Sequence, residues 1–249
     1  MYSNEFIDLV NFSYAESEKF YKKEENDVKT TPNPFYIGFG NPNSEIVIFG
    51  KEKGFKATEL VQLKYESINN PTEWKSYIDK GISINLNKFE IPDIHYSLYI
   101  NSFYPYKGKQ KGGHTWSKYQ KLMRNIYPDI KFDECDFFKE CFISEINHDP
   151  SKESIIKLYA DKKRLNLLKH DFYKKKVIIL ACGDYLNKKE NIETLFDVKY
   201  SDKDSSSELH GKFEVFKSQK RILINTRQLS FNVRNEYLMK IAKIAKEYL

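Results

Sequence analysis

The run Glu45-Ile46-Val47-Ile48-Phe49-Gly50 constrains the fold more than any other stretch of the chain. Its unbroken apolar centre, rich in β-branched residues, predicts a buried β-strand. The strand runs straight into Gly50-Lys51-Glu52-Lys53-Gly54, a turn with glycine at both ends and a carboxylate in the middle. Asn41-Pro42-Asn43-Ser44 marks a turn just before it. A strand that ends in a glycine-bounded polar loop and is followed by a helical pattern is how open α/β proteins build sites at the carboxyl edge of a sheet. Glu52 is therefore the first candidate for chemistry.

The same pattern recurs downstream. Residues 140–146 and 176–182 read as two further core strands, the latter apolar throughout at Val177-Ile178-Ile179-Leu180. Helical periodicity fills the intervals. Phe6, Leu9 and Val10 mark an N-terminal amphipathic helix over residues 4–23, and helices are predicted over 57–68, 72–81, 114–127 and 151–169. Tyr237, Leu238, Ile241, Ile244 and Ala245 share one face of a C-terminal helix over 232–249. Residues 212–216 and 221–225 flank Ser218-Gln219 as a hairpin, and the serine-rich stretch 201–207 before them reads as a polar loop. Residues 82–111 read as an irregular excursion with a short strand at 96–100. Apolar strands alternating with helices predict one α/β domain spanning residues 1–249, with a mainly parallel sheet.

Composition narrows the class. The longest apolar runs fall well short of a membrane span. The first eight residues carry two acids and no basic segment, so they do not read as a secretory signal. Cys135, Cys141 and Cys182 sit in or near apolar stretches without metal-binding or redox spacing, which suits a reducing cytoplasm. No metal is expected, because His148 with Cys141 and Cys135 does not match zinc spacing, and no cofactor, because no Walker loop, dinucleotide fingerprint or Ser-His-Asp pattern is present. The net charge of +6 leans toward a polyanionic partner rather than a membrane. The oligomeric state is open, a monomer being the simplest reading.

If the sheet is parallel, three strand ends face one crevice and bring Glu52, the segment 145–151 and the segment 225–230 together. On these loops the chain resembles the uracil-DNA glycosylase superfamily. Gly50-Lys51-Glu52-Lys53-Gly54 is similar in position and outline to the family's first motif, a strand followed by Gly-x-Asp-Pro-Tyr or Gly-Glu-Ala-Pro-Gly, with Lys53 in place of the proline. Asn225-Thr226-Arg227-Gln228-Leu229-Ser230 lies without a gap on the last motif, His-Pro-Ser-Pro-Leu-Ser. Phe142-Ile143-Ser144-Glu145 resembles the segment that ends in the base-reading asparagine.

The resemblance spans roughly residues 38–230 in outline. It implies a three-layer α/β/α fold with a short, mainly parallel sheet, to which residues 1–34 add a helical extension. It implies DNA as the partner and hydrolysis of an N-glycosidic bond, with uracil or another damaged base released. Glu52 would orient the attacking water and Asn225 would hold the base carbonyl. Glu145, or Asn147 with a shift of two, would read the base, and Phe55 would stack on it. Leu229 would wedge into the duplex. Lys51, Lys53, Arg227, Ser230 and His114, the last following two glycines at a helix start, would contact phosphates.

Plainer readings fit the same residues. Glu52 beside Lys51 or Lys53 makes an ordinary loop ion pair, Phe55 a core anchor, and Ser230 an N-cap for a helix from Phe231 onward. Thr115 as a cap explains the His114 segment equally well. Lys107, Lys109 and Lys111, interleaved with Tyr104, Tyr106 and Trp116, suit either a solvated face or a nucleic-acid groove. Two other function classes stay open: a non-catalytic relative that binds nucleic acid or a modified base, and a hydrolase of free nucleosides.

Overall fold

A computed structural model describes residues 2–23, 30–52, 54, 60–82, 114–130, 136–151, 162–186, 188–207, 211–230 and 232–249. In chain order the elements are α1 (Asn4–Tyr21), β1 (Phe39–Gly40), β2 (Ile46–Gly50), α2 (Leu60–Leu63, continued by a π-helical turn, Lys64–Ile68), α3 (Asn70–Asp79), α4 (His114–Ile126), β3 (Phe142–Glu145), α5 (Lys162–Leu168), β4 (Val177–Leu180), α6 (Lys189–Phe196), β5 (Lys199–Ser206), β6 (Phe213–Lys217), β7 (Ile222–Thr226) and α7 (Asn235–Lys246).

The strands form one seven-stranded sheet in the order β1-β3-β2-β4-β7-β6-β5. The four central strands β3, β2, β4 and β7 run parallel, and β1, β6 and β5 join antiparallel at the two sides. The α/β class with a mainly parallel centre is thus present. The continuous apolar runs occupy the middle because both faces are covered there, and Ile46, Val47, Ile48 and Phe49 are all fully buried.

Alternation along the strands feeds two apolar clusters. Ile46, Ile48, Ile179 and Ile224 join residues of α4 (Tyr119, Leu122, Met123, Ile126) and α7 (Leu238, Ile241, Ala245). Val47, Phe49, Leu180 and Leu223 join Phe6 and Leu9 of α1, Trp74 of α3, and Ile192 and Phe196 of α6. The expected N-terminal extension is therefore part of the core. Phe6 packs edge-on against Trp74 with ring centroids 4.9 Å apart, and the Trp74 indole N–H donates to the Gly38 carbonyl at 3.0 Å.

Three expectations need correction. The polar stretch 201–207 is not a loop, because most of it lies in β5, an edge strand with no fully buried residue. Edge strands carry charged and polar side chains that discourage further pairing, so β5 lacks the apolar alternation that marks an inner strand. The last helix starts at Asn235, with Arg234 as its N-cap, rather than directly after Ser230. The helix expected over 57–68 turns π-helical from Lys64. The excursion at 82–111, most of the helix expected over 151–169, Lys53, Phe55 and Cys135 lie outside the described residues. Among the described residues no helix is long and apolar enough to cross a membrane.

Candidate active site

The parallel centre of the sheet turns its carboxyl ends toward one edge, and register decides what meets there. Gly50 of β2 pairs with Glu145 of β3, so the two strands end level. The ladder continues past both ends. The Ile146 amide donates to the Gly50 carbonyl at 3.0 Å, and the Asn147 amide to the Lys51 carbonyl at 2.8 Å. The loop after β3 is thereby zipped to the loop after β2, which sets Asn147 beside Glu52.

β4 contributes from the other side. Its last backbone bond to β2, from the Ala181 amide to the Phe49 carbonyl, is 2.8 Å. Gly183 then adopts φ +61°, a conformation that L side chains rarely adopt. A short 3-10 turn, Gly183–Leu186, follows and swings Tyr185 back over the strand ends. The Tyr185 hydroxyl donates to Glu52 Oε2 at 2.6 Å. The Lys51 ammonium lies 5.1 Å from the centroid of the same ring.

Burial holds the Glu52 carboxyl above its ordinary pKa, because the ion is deprived of water. The Tyr185 hydrogen bond, the Lys51 charge and the nearby Asn147 amide pull it partly back, and the Glu145 charge adds to the rise. Asn147 is 4% exposed, and its Nδ2 closes no hydrogen bond of standard geometry among the described residues. A half-buried carboxylate therefore sits next to an amide donor with spare capacity.

Glu145 stands on the far side of Gly50. A side chain at Gly50 would meet the Tyr119 hydroxyl at 3.4 Å and Glu145 Cγ at 3.5 Å. Tyr119 is fully buried, its hydroxyl has no partner among the described residues, and burial together with the Glu145 charge raises its pKa strongly. Arg164, also fully buried, holds the end of β3 from behind. Its Nε donates to the Glu145 carbonyl at 2.8 Å, its Nη2 to Ser144 Oγ at 2.6 Å and its Nη1 to the Tyr36 carbonyl.

The third expected loop does not join this group. Asn225 is level with Leu180, two strands away from β2, roughly 10 Å across the sheet. Its Nδ2 donates to Glu214 of β6 at 3.0 Å. The donor expected to hold a base carbonyl is thus committed, and the buried acceptor Oδ1 has no partner among the described residues. The cause is β6, which runs antiparallel to β7 and sets Glu214 opposite Asn225. Leu229 is fully buried among residues of α7 and the central strands, so it fills the core and does not project as a wedge. Ser230 is half-buried in the turn, and its carbonyl accepts from the Val233 amide at 3.4 Å.

Arg227 is exposed. With Asn232, Val233 and Arg234 it lines a cleft of about 450 Å³. Lys118 of α4 donates to the Val233 carbonyl at its rim at 2.5 Å. His114 begins α4, and its side chain lies outside the described residues, as do Lys53 and Phe55.

No protein-family model and no curated protein matches the chain.

The site therefore rests on its own geometry: Glu52, Lys51, Asn147 and Glu145 converge, and Asn225 and Leu229 are placed elsewhere. Tyr185, Tyr119 and Arg164 escaped the sequence reading. For Tyr185 a signal existed. Cys182-Gly183-Asp184-Tyr185 follows an apolar strand just as Gly50-Lys51-Glu52 does.

Proposed function

We propose that the chain hydrolyses the N-glycosidic bond of a damaged or deaminated base in DNA, with uracil the first substrate to test. The observation that carries this reading is the Glu52 carboxyl, raised above its ordinary pKa and set beside the buried Asn147 amide, whose Nδ2 closes no hydrogen bond of standard geometry among the described residues. A carboxylate with a raised pKa is a stronger base once ionised. In the reaction the oxygen of a water bonds to C1′ of the sugar while Glu52 accepts its proton. The bond from C1′ to the base nitrogen breaks, and its electron pair leaves with the base. A hydrogen bond from Asn147 Nδ2 to a base carbonyl stabilises the charge that collects there.

The reading carries with it a three-layer α/β/α arrangement, a cytoplasmic monomer and a nucleic-acid partner. The two apolar clusters fed by alternate strand residues support the first. The arginine-lined cleft at Arg227 and Arg234 supports the last, because guanidinium groups suit phosphate oxygens.

A second reading, a base-binding protein without catalysis, is favoured by one observation: the end of β7 keeps the Asn225 amide donor on Glu214, and the loop after it keeps Leu229 in the core.

The test is alkali-induced strand breakage of a uracil-containing oligonucleotide after incubation with the protein. The expected result is cleavage by wild type and its loss in Glu52→Gln. Wild-type cleavage no greater than that of Glu52→Gln sinks the hydrolase reading, and salt-sensitive DNA binding without base release then supports the second.

A further inference from the structure

Neither the strand-end motifs nor the chemistry proposed for Glu52 assigns a role to the connection after β4, yet this connection sends a hydrogen bond of 2.6 Å to the carboxylate. Tyr185 is 4% exposed and belongs to the same apolar cluster as Phe49, Leu180 and Cys182. Its ring is therefore fixed from one side by packing. The Lys51 ammonium lies over it at 5.1 Å. Its hydroxyl donates to Glu52 Oε2 at 2.6 Å, the length expected of a hydroxyl bonded to an ionised oxygen.

We infer that Tyr185 is the positioning residue of the site: its rigidly packed hydroxyl holds Oε2 and thereby leaves Oε1 as the oxygen that meets the water. The inference rests on the reading of Glu52 as the base. A free glutamate side chain samples several rotamers, and an anchor on one oxygen removes that freedom before substrate arrives. The tyrosine must come from a rigid turn for this to work. Gly183 at φ +61° supplies the sharp exit from β4 that aims the turn back at β2. The groups facing Glu52 among the described residues are Lys51 on its own loop, Glu145 at the end of β3, Asn147 from the loop after β3, and Tyr185 and Cys182 from the connection after β4.

Tyr185→Phe keeps the ring, its packing and the face presented to Lys51, and removes only the hydroxyl. Two readouts separate positioning from mere packing. The first is the titration of the Glu52 carboxyl by carbon-13 NMR, assigned by the signal lost in Glu52→Gln. Loss of a donor to the ionised form favours the acid, so the midpoint is expected to move up by about one unit. The second is the pH–rate profile of base release. Its acid limb should move up with the NMR midpoint, and kcat on the plateau should fall about tenfold with KM little changed. A Glu52 midpoint that stays at the wild-type value in a folded Tyr185→Phe protein overturns the inference, whatever the activity. A midpoint that moves in a protein whose wild type releases no base keeps the Tyr185 anchor and removes the hydrolase reading instead.

Discussion

The loop after β2 and the loop after β7 leave the same edge of the sheet, follow equally apolar strands and are equally polar in sequence, yet the fold uses them differently. After β2, the Glu52 carboxyl is half-buried and flanked by the Asn147 amide, whose Nδ2 closes no hydrogen bond of standard geometry among the described residues. At the end of β7, Asn225 gives its donor to Glu214, and in the loop beyond it Leu229 is buried in the cluster that includes α7. The neighbours account for the contrast. β2 lies between two parallel strands whose connections also leave at the carboxyl edge, so three loops pile up on one another there. β7 has an antiparallel neighbour on one side, and that strand brings a carboxylate within the sheet to satisfy the amide. Polar residues at a strand end become available for chemistry where parallel neighbours crowd them and no adjacent strand pairs them.

The largest effect expected from this contrast lies in the core. Leu229→Ala should lower unfolding stability by about 2–5 kcal/mol in a urea titration, as for other buried leucines. A stability change within about 0.5 kcal/mol would show that Leu229 is outside the core and return it to the wedge role.

Asn225→Ala should cost about 1 kcal/mol of stability, the net worth of one hydrogen bond, and leave base release at the wild-type rate. A tenfold loss of kcat with KM unchanged would place Asn225 with Glu52 after all and dissolve the distinction between the two loops.

The subtlest effect is the pH dependence of stability at Glu52. Its folded pKa is raised, so the folded state holds its proton to higher pH than the unfolded chain does. Stability contributed by this group therefore falls as pH rises through the window above the ordinary value of 4.5. Glu52→Gln has no such proton to lose. Its melting temperature should exceed that of wild type at neutral pH, and the gap should close as pH drops below the ordinary glutamate range. A gap that is the same at both ends would show Glu52 to be solvated like any loop acid.

How much of this was legible beforehand varies with what each residue needs from its surroundings. β2 and β4 could be read directly, because a run such as Val177-Ile178-Ile179-Leu180 has no other stable use in a chain of this kind. The β6–β7 hairpin could be read from its spacing, and the Ser218 amide closes its turn onto the Arg221 carbonyl at 2.9 Å. β5 could not, since a polar edge strand and a polar loop look alike until a partner strand is placed beside them. The choice between Glu145 and Asn147 was a matter of register: the first is level with Gly50 and points toward Tyr119, and the second is carried one step further, to Glu52. Leu229 shows the converse. An isolated leucine in a polar loop is equally consistent with a core anchor and an exposed wedge.

The residue order alone marked the apolar strands and the N- and C-terminal helices, and it singled out Glu52 as a candidate, because these depend on local periodicity and on a glycine-bounded turn. The tertiary structure alone decided which polar groups are paired and which are left over. That outcome depends on strand order, register and burial, properties of neighbours distant in the chain, and it is why Tyr185, 133 residues from Glu52, holds its carboxylate while Asn225 turns to Glu214.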